Sequence, residues 1–285
     1  MLIFTVYPLI NTIGVAFLKN YDYYSNESFF ESVFKPDGGL TLNNFKEVVT
    51  YDNFIKYALP NTLIIVVITV PCSIILSLII AVGLNSIKFL HKIFQTIFFM
   101  PYVTNAIAVG MVFAVIFAGT NGLWNAIFGL GNINWVDQNA PAWRGMFALC
   151  VYIVWHALPY KILIFLSALQ NIDKQYYQAA KIDSASKIKT FWRVTVPLLS
   201  PQIVYILVTS MIGSFKEYSS VVAMFDDNKG TIHANRPNMY TVVYYIYDHI
   251  ADQPEFASAA AVLLFVIIMI FTVIQRKISD KRVHY

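Results

Sequence analysis

Three charged residues sit where charge is expensive: Lys161, and the adjacent Lys216 and Glu217, each inside a long apolar run. Ionisable groups within a hydrocarbon span are costly and are candidates for function by default. Lys161 either pairs with a helix carbonyl or a neighbouring subunit, or serves a solute. Lys216 and Glu217, as helix neighbours, point about 100° apart and do not pair. Such groups also suit an ion or proton relay. Polar side chains recur nearby at helical spacing. Ser210, Ser214 and Glu217 are four and three residues apart and share a helix face. His156 and Tyr160 are four apart and flank Pro159, while Tyr102 and Asn105 follow Pro101. Each stripe is either a set of inter-helix hydrogen bonds, often worth about 0.6 kcal/mol each, or a contact with a solute.

The residues point away from covalent and metal chemistry. There is no Gly-x4-Gly-Lys-Ser/Thr loop to cradle nucleotide phosphates. His91, His156, His233, His249 and His284 are scattered without metal-ligand spacing, and no serine occupies a nucleophile elbow. Asp226-Asp227-Asn228-Lys229-Gly230 lacks the full calcium-loop pattern. No catalytic residue, metal site or cofactor is therefore expected in this chain. Cys72 and Cys150 fall in apolar runs and read as small buried hydrophobes. A net charge of +4 without a Lys/Arg-dense helix makes nucleic acid a poor partner.

The elements that must position these groups follow from composition. Hydrophobic residues make up 58% of the 285 and charged residues 13%, against about 25% charged in soluble domains. Mean hydropathy is +0.59. Lipid must solvate such a chain. Six runs, roughly 2–18, 58–84, 94–117, 143–169, 198–225 and 256–274, approach the ~20 residues needed to cross a hydrocarbon core. The expected fold is an all-α integral membrane protein of six transmembrane helices, one domain over 1–285. The first run is short and lacks a basic flank, as expected if part of that helix, or a segment before it, is missing; no cleavable signal pattern is present. Pro71, Pro101 and Pro159 are tolerated kinks or hinges.

Orientation follows from Lys and Arg. The segments 85–93, 170–196 and the tail from Gln275 hold Lys88, Lys92, Lys174, Lys181, Lys187, Lys189, Arg193, Arg276, Lys277, Lys281 and Arg282. The alternate segments are richer in acids, among them Asp22, Glu27, Glu31, Asp37, Glu47, Asp52, Asp137, Asp226, Asp227, Asp248, Asp252 and Glu255. They also carry interfacial aromatics such as Tyr21, Tyr23, Tyr24, Trp124 and Trp135. The basic set, and with it both termini, is expected to be cytoplasmic, on a prokaryotic cell membrane.

The basic insert 170–197, between the fourth and fifth runs, is the most punctuated stretch. Asp173 is a plausible N-cap for a helix over Lys174–Ile182. Asp183-Ser184 is turn chemistry, Ala185–Val194 reads as a second short helix, and Pro197 and Pro201 lead into the next run. Tyr176, Tyr177, Phe191 and Trp192 are anchors of the kind that dominate interfaces. Ala179-Ala180 lets another surface approach the backbone. The insert either docks in a partner's groove or rests on anionic headgroups.

This insert resembles the coupling loop, or EAA loop, of binding-protein-dependent ABC importer permeases. That pattern is Glu-Ala-Ala, three residues, then Gly, closing on Ile/Val-x-x-Pro. This chain has Gln178-Ala179-Ala180, Lys181-Ile182-Asp183, Ser184, and closes with Val194-Thr195-Val196-Pro197. Gln178 and Ser184 depart from the family's Glu and Gly, so any left-handed backbone at Ser184 is strained. Val6–Leu9, Asn61–Leu63, Phe98–Val103, Ile133–Trp135 and Leu158–Tyr160 extend the likeness, in order and spacing, to the carbohydrate-uptake branch.

The resemblance implies a non-enzymatic permease subunit carrying an oligosaccharide by alternating access, as half of a heteromeric pathway. Implied partners are a second homologous permease, two ATPase subunits that hold ATP and Mg, and an extracytoplasmic solute-binding protein. It implies coupling residues Tyr177, Gln178, Ala179, Ala180, Asp183, Ser184 and Pro197. It implies pocket positions Tyr102, His156, Tyr160, Ser210, Ser214 and Glu217; Asn105 joins them from helix spacing. The rival is an ion-coupled secondary transporter using Glu217, Lys216 or Lys161.

Overall fold

The computed structural model describes residues 2–21, 29–34, 38–50, 53–87, 91–136, 140–225 and 239–279. The acidic loop 226–230, His233, His284, Tyr23 and Tyr24 lie outside the described residues. So do the orienting charges Asp22, Glu27, Asp37, Asp52, Lys88, Asp137, Lys281 and Arg282.

The chain runs through α1 (Leu2–Ala16), α2 (Phe29–Phe34) and α3 (Asn43–Thr50), then a π turn (Phe54–Ala58) into the long α4 (Leu59–Ser86). Next come α5 (His91–Val103), α6 (Ala106–Ile116), α7 (Leu123–Phe128) and the 29-residue α8 (Ala142–Gln170). The insert carries α9 (Lys174–Ile182), α10 (Lys187–Thr190), a second π turn (Phe191–Thr195) and α11 (Val196–Leu198). Last are α12 (Ser200–Phe215), α13 (Ser219–Phe225), α14 (Val242–His249) and α15 (Pro254–Ser279). Among the described residues there is no strand, only an isolated bridge between Leu18 and Leu40. Helix is what lipid demands, because each span must satisfy its own backbone groups.

The centre of the fold is the pairing of α4 with α8. On α4, Ile65, Val66, Thr69, Val70, Ser73, Ile74, Ser77 and Ala81 are buried at three- and four-residue spacing. The small side chains let the backbones approach, the usual solution where lipid competes with apolar packing. Leu149, Tyr152, Ile162, Phe165 and Leu166 of α8 are buried in the same core. The other face of α4, with Val67, Ile75 and Ile79, stays exposed.

Three asparagines pin distant segments. Asn44 Nδ2 donates to the carbonyls of Ala16 (3.0 Å) and Leu18 (2.8 Å). Asn61 Nδ2 donates to Tyr240 O at 2.9 Å, and the next residue, Thr62, accepts from Val242 N at 3.0 Å. Asn125 donates to Ile133 O and accepts from Trp135 Nε1 at 2.8 Å, closing the aromatic-rich loop after α6. Of the sequence likenesses, Asn61–Leu63 therefore marks a long-range hydrogen bond and Ile133–Trp135 a loop closure.

Among the described residues three helices are long and apolar enough to cross a membrane: Phe54–Ser86, Ala142–Gln170 and Pro254–Ser279. Lys187–Leu198 and Ser200–Phe215 pass only as a pair, bent by 67°. Leu2–Ala16 and Ala106–Ile116 are apolar but shorter. The expected continuous third run is broken at Thr104-Asn105, where Asn105 is extended and its Oδ1 accepts from Ile107 N and Ala108 N. The fifth run is broken too. α12 stops at Phe215, and α13 restarts at Ser219.

Candidate functional site

α5, α8, α12 and the break before α13 enclose a cavity of about 440 Å³, within the range of roughly 300–1,000 Å³ common for small-molecule sites. Tyr102, His156, Tyr160, Ser210, Ser214 and Glu217 all line it, so residues from three separate stretches of sequence meet. Asn105 is not among the lining residues; its side chain caps α6. Ser210 and Ser214 share a face of α12 as their spacing requires. Glu217 does not extend that face. It lies beyond the helix end, where its Oε1 accepts from Ser220 N at 3.2 Å at the start of α13. The break also separates Lys216 and Glu217 from any regular helix; both line the cavity.

A polar ladder, with Lys161 and Ser214 on the cavity wall, crosses three helices. Lys161 Nζ of α8 donates to Ser73 Oγ of α4. Ser73 Oγ in turn donates to the carbonyls of Thr69 (2.6 Å) and Val70 (3.0 Å). Thr69 Oγ1 lies 3.4 Å from Ser214 Oγ of α12. Lys161 and Ser73 are both buried.

Tyrosines divide this cavity from a second one. The rings of Tyr102 and Tyr160 stack at 5.7 Å and 18°, and Tyr160 OH lies 3.3 Å from Tyr205 OH. On the far side Tyr102, Tyr160, Tyr205, Gln202 and Asn171 line a space of about 570 Å³, nearer the insert. Ser73, Tyr205 and Thr209, the last on the wall of the first cavity, join these groups without having been expected to. The available signals were the Thr69-Ser73-Ser77 and Tyr205-Thr209 rows at four-residue spacing.

Local hydrogen bonds hold the insert in shape. Asp173 Oδ1 accepts from Gln175 N at 2.9 Å and starts α9. The helix ends in a Schellman arrangement: Ser184 N donates to Lys181 O (3.0 Å) and Ala185 N to Ala180 O (2.9 Å). Ser184 takes φ +54°, the left-handed conformation that favours glycine. Tyr177 OH lies 3.3 Å from Thr195 Oγ1, tying α9 to the second π turn. That turn occupies part of the expected second helix; α10 itself spans four residues. Ala180 is buried, whereas Gln178, Ala179, Asp183 and Ser184 are exposed, and Pro197 is half-buried. Ile182 (84% exposed) and Trp192 (64%) project outward. Among the described residues no group of three His, Cys, Asp or Glu is placed to hold a metal ion.

Comparison with known proteins gives the family and the fold. The family described as "Binding-protein-dependent transport system inner membrane component" matches residues 61–285. The probable ABC transporter permease protein MG188 of Mycoplasma genitalium is 28% identical over 272 residues, covering 93% of this chain and 78% of that one. The arabinooligosaccharides transport system permease protein AraP of Halalkalibacterium halodurans is 34% identical over 225 residues, covering 76% of this chain and 69% of that one. In fold, the chain is similar to a bacterial alginate ABC transporter solved in complex with an alginate pentasaccharide-bound periplasmic protein. The TM-score is 0.76 at 17% identity, with 98% of this chain and 90% of that one covered. A multi-pass helical chain with this match over most of its length belongs to the inner membrane components of binding-protein-dependent transport systems.

Proposed function

We propose that this chain is a permease subunit of an ABC importer for carbohydrate, an oligosaccharide, and forms half of the translocation pathway. The observation that carries the reading is the meeting of Tyr102, His156, Tyr160, Ser210, Ser214 and Glu217 around one cavity. The hydroxyls, imidazole and carboxylate offer donors and acceptors to sugar hydroxyls. The stacked Tyr102 and Tyr160 rings present the flat apolar faces that cover a pyranose ring. AraP, named for arabinooligosaccharides, supports the substrate class.

In this reading the six runs form one transmembrane domain with both termini in the cytoplasm. The insert, with Tyr177 to Ser184 at its head and Pro197 at its base, sits in a cleft on an ATPase subunit. ATP and Mg belong to a pair of such subunits. A second homologous permease completes the pathway, and a solute-binding protein delivers sugar outside. The alginate transporter, solved with a periplasmic protein, supports that last partner. Closure of the ATPases moves the insert, and the insert moves α12, whose serines line the cavity.

Affinity purification in mild detergent, followed by mass spectrometry, tests the assembly. We expect ATPase and second permease chains to accompany the wild type. Ala179→Arg, on the exposed face of α9, should lose the ATPase and uptake while remaining inserted. Normal ATPase association in that variant would remove α9 as the contact.

A further inference from the structure

We infer that the solute taken by the 440 Å³ cavity carries an anionic group, a carboxylate or a phosphate, that binds the Lys161 ammonium. The inference rests on the carbohydrate reading and narrows it to acidic or phosphorylated saccharides. Lys161 is only 6% exposed, near the middle of α8, yet it lines the cavity. An ammonium has three N–H donors. Among the described residues one of them goes to Ser73 Oγ.

That hydroxyl does not neutralise the charge. Ser73 directs its own proton to the carbonyls of Thr69 and Val70, so it turns a lone pair to Lys161 and fixes the ammonium as donor. The carboxylate on the cavity wall, Glu217, has one oxygen committed to Ser220 N. A buried charge without an opposite partner is costly, and removing or supplying that partner changes the balance strongly. Lys216 also lines the cavity, so among the described residues two lysines and one glutamate line it, a surplus of one positive charge. An anionic sugar supplies the missing counter-charge, and the Lys161 N–H groups not directed at Ser73 among the described residues give it hydrogen bonds as well as charge.

The test uses the complete importer purified in mild detergent, without the binding protein, so that selectivity comes from the membrane subunits. Thermal stabilisation is titrated with α-1,4-digalacturonate, its neutral counterpart α-1,4-galactobiose, and galactose 6-phosphate. We expect one of the two anionic probes to act at concentrations at least tenfold below galactobiose, and which of them does so separates carboxylate from phosphate. Lys161→Gln should erase that preference, and Lys161→Arg should keep part of it. Equal or better response to galactobiose, or a preference unchanged in Lys161→Gln, overturns the inference and leaves the carbohydrate reading intact. Failure of Lys161→Gln to assemble in the absence of any solute also overturns it, because the counter-charge would then belong to a neighbouring chain. Silence to all three probes overturns the inference, while the carbohydrate reading stands on the family match.

Discussion

Ser184 carries the least comfortable backbone in the insert. A left-handed conformation costs an L-residue roughly 1–2 kcal/mol, and here it is held by the two hydrogen bonds that close α9. Ser184→Gly should stabilise that helix end by about 1 kcal/mol, seen as slower amide exchange over residues 180–185. Unchanged or faster exchange would contradict the strain. Glu217 has two duties, lining the cavity and capping α13. Glu217→Ala removes both and should lower uptake about ten- to a hundredfold, the value of a hydrogen bond to a charged group. Glu217→Gln keeps an acceptor for Ser220 N and should be milder; equal losses in transport assays would separate the cap from the defect. The strain at Ser184 was legible in the sequence, because the residue stands where glycine is expected. The partner of Lys161 was not, because Ser73 lies 88 residues away and only folding joins them.

At the level of elements, α6 and α13 approach closely through Gly110. A Cβ built there would lie 2.4 Å from Ala223 Cβ. Gly110→Ala should therefore force the helices apart and cost about 1–3 kcal/mol, read as a lower melting temperature of the purified protein. Ala223→Gly in the same chain should recover much of the loss, a coupling expected only of residues in contact. Additive losses would show that these helices do not meet there. Helix α9 and its Asp173 cap were legible to the residue, since both depend on neighbours in sequence. The breaks at residues 104–105 and 216–218 were not. Hydropathy runs on through both, while a single capping side chain, Asn105 or Glu217, decides where the next helix begins.

For the whole molecule, the fuel is the deciding question. Uptake by the complete importer in vesicles should stop when ATP is removed and persist when an ionophore collapses ion gradients. The reverse pattern would favour ion coupling through Lys161, Lys216 or Glu217. The 67° elbow at Leu199 gives this division of labour a mechanical form. Helix α12 has 16 residues, so it is a rod about 24 Å long, and a swing of about 10° at its base carries the far end through about 4 Å. Ser214 stands near that far end, its Oγ 3.4 Å from Thr69 Oγ1 of α4, so a stroke of this size directed away from α4 would part the two hydroxyls.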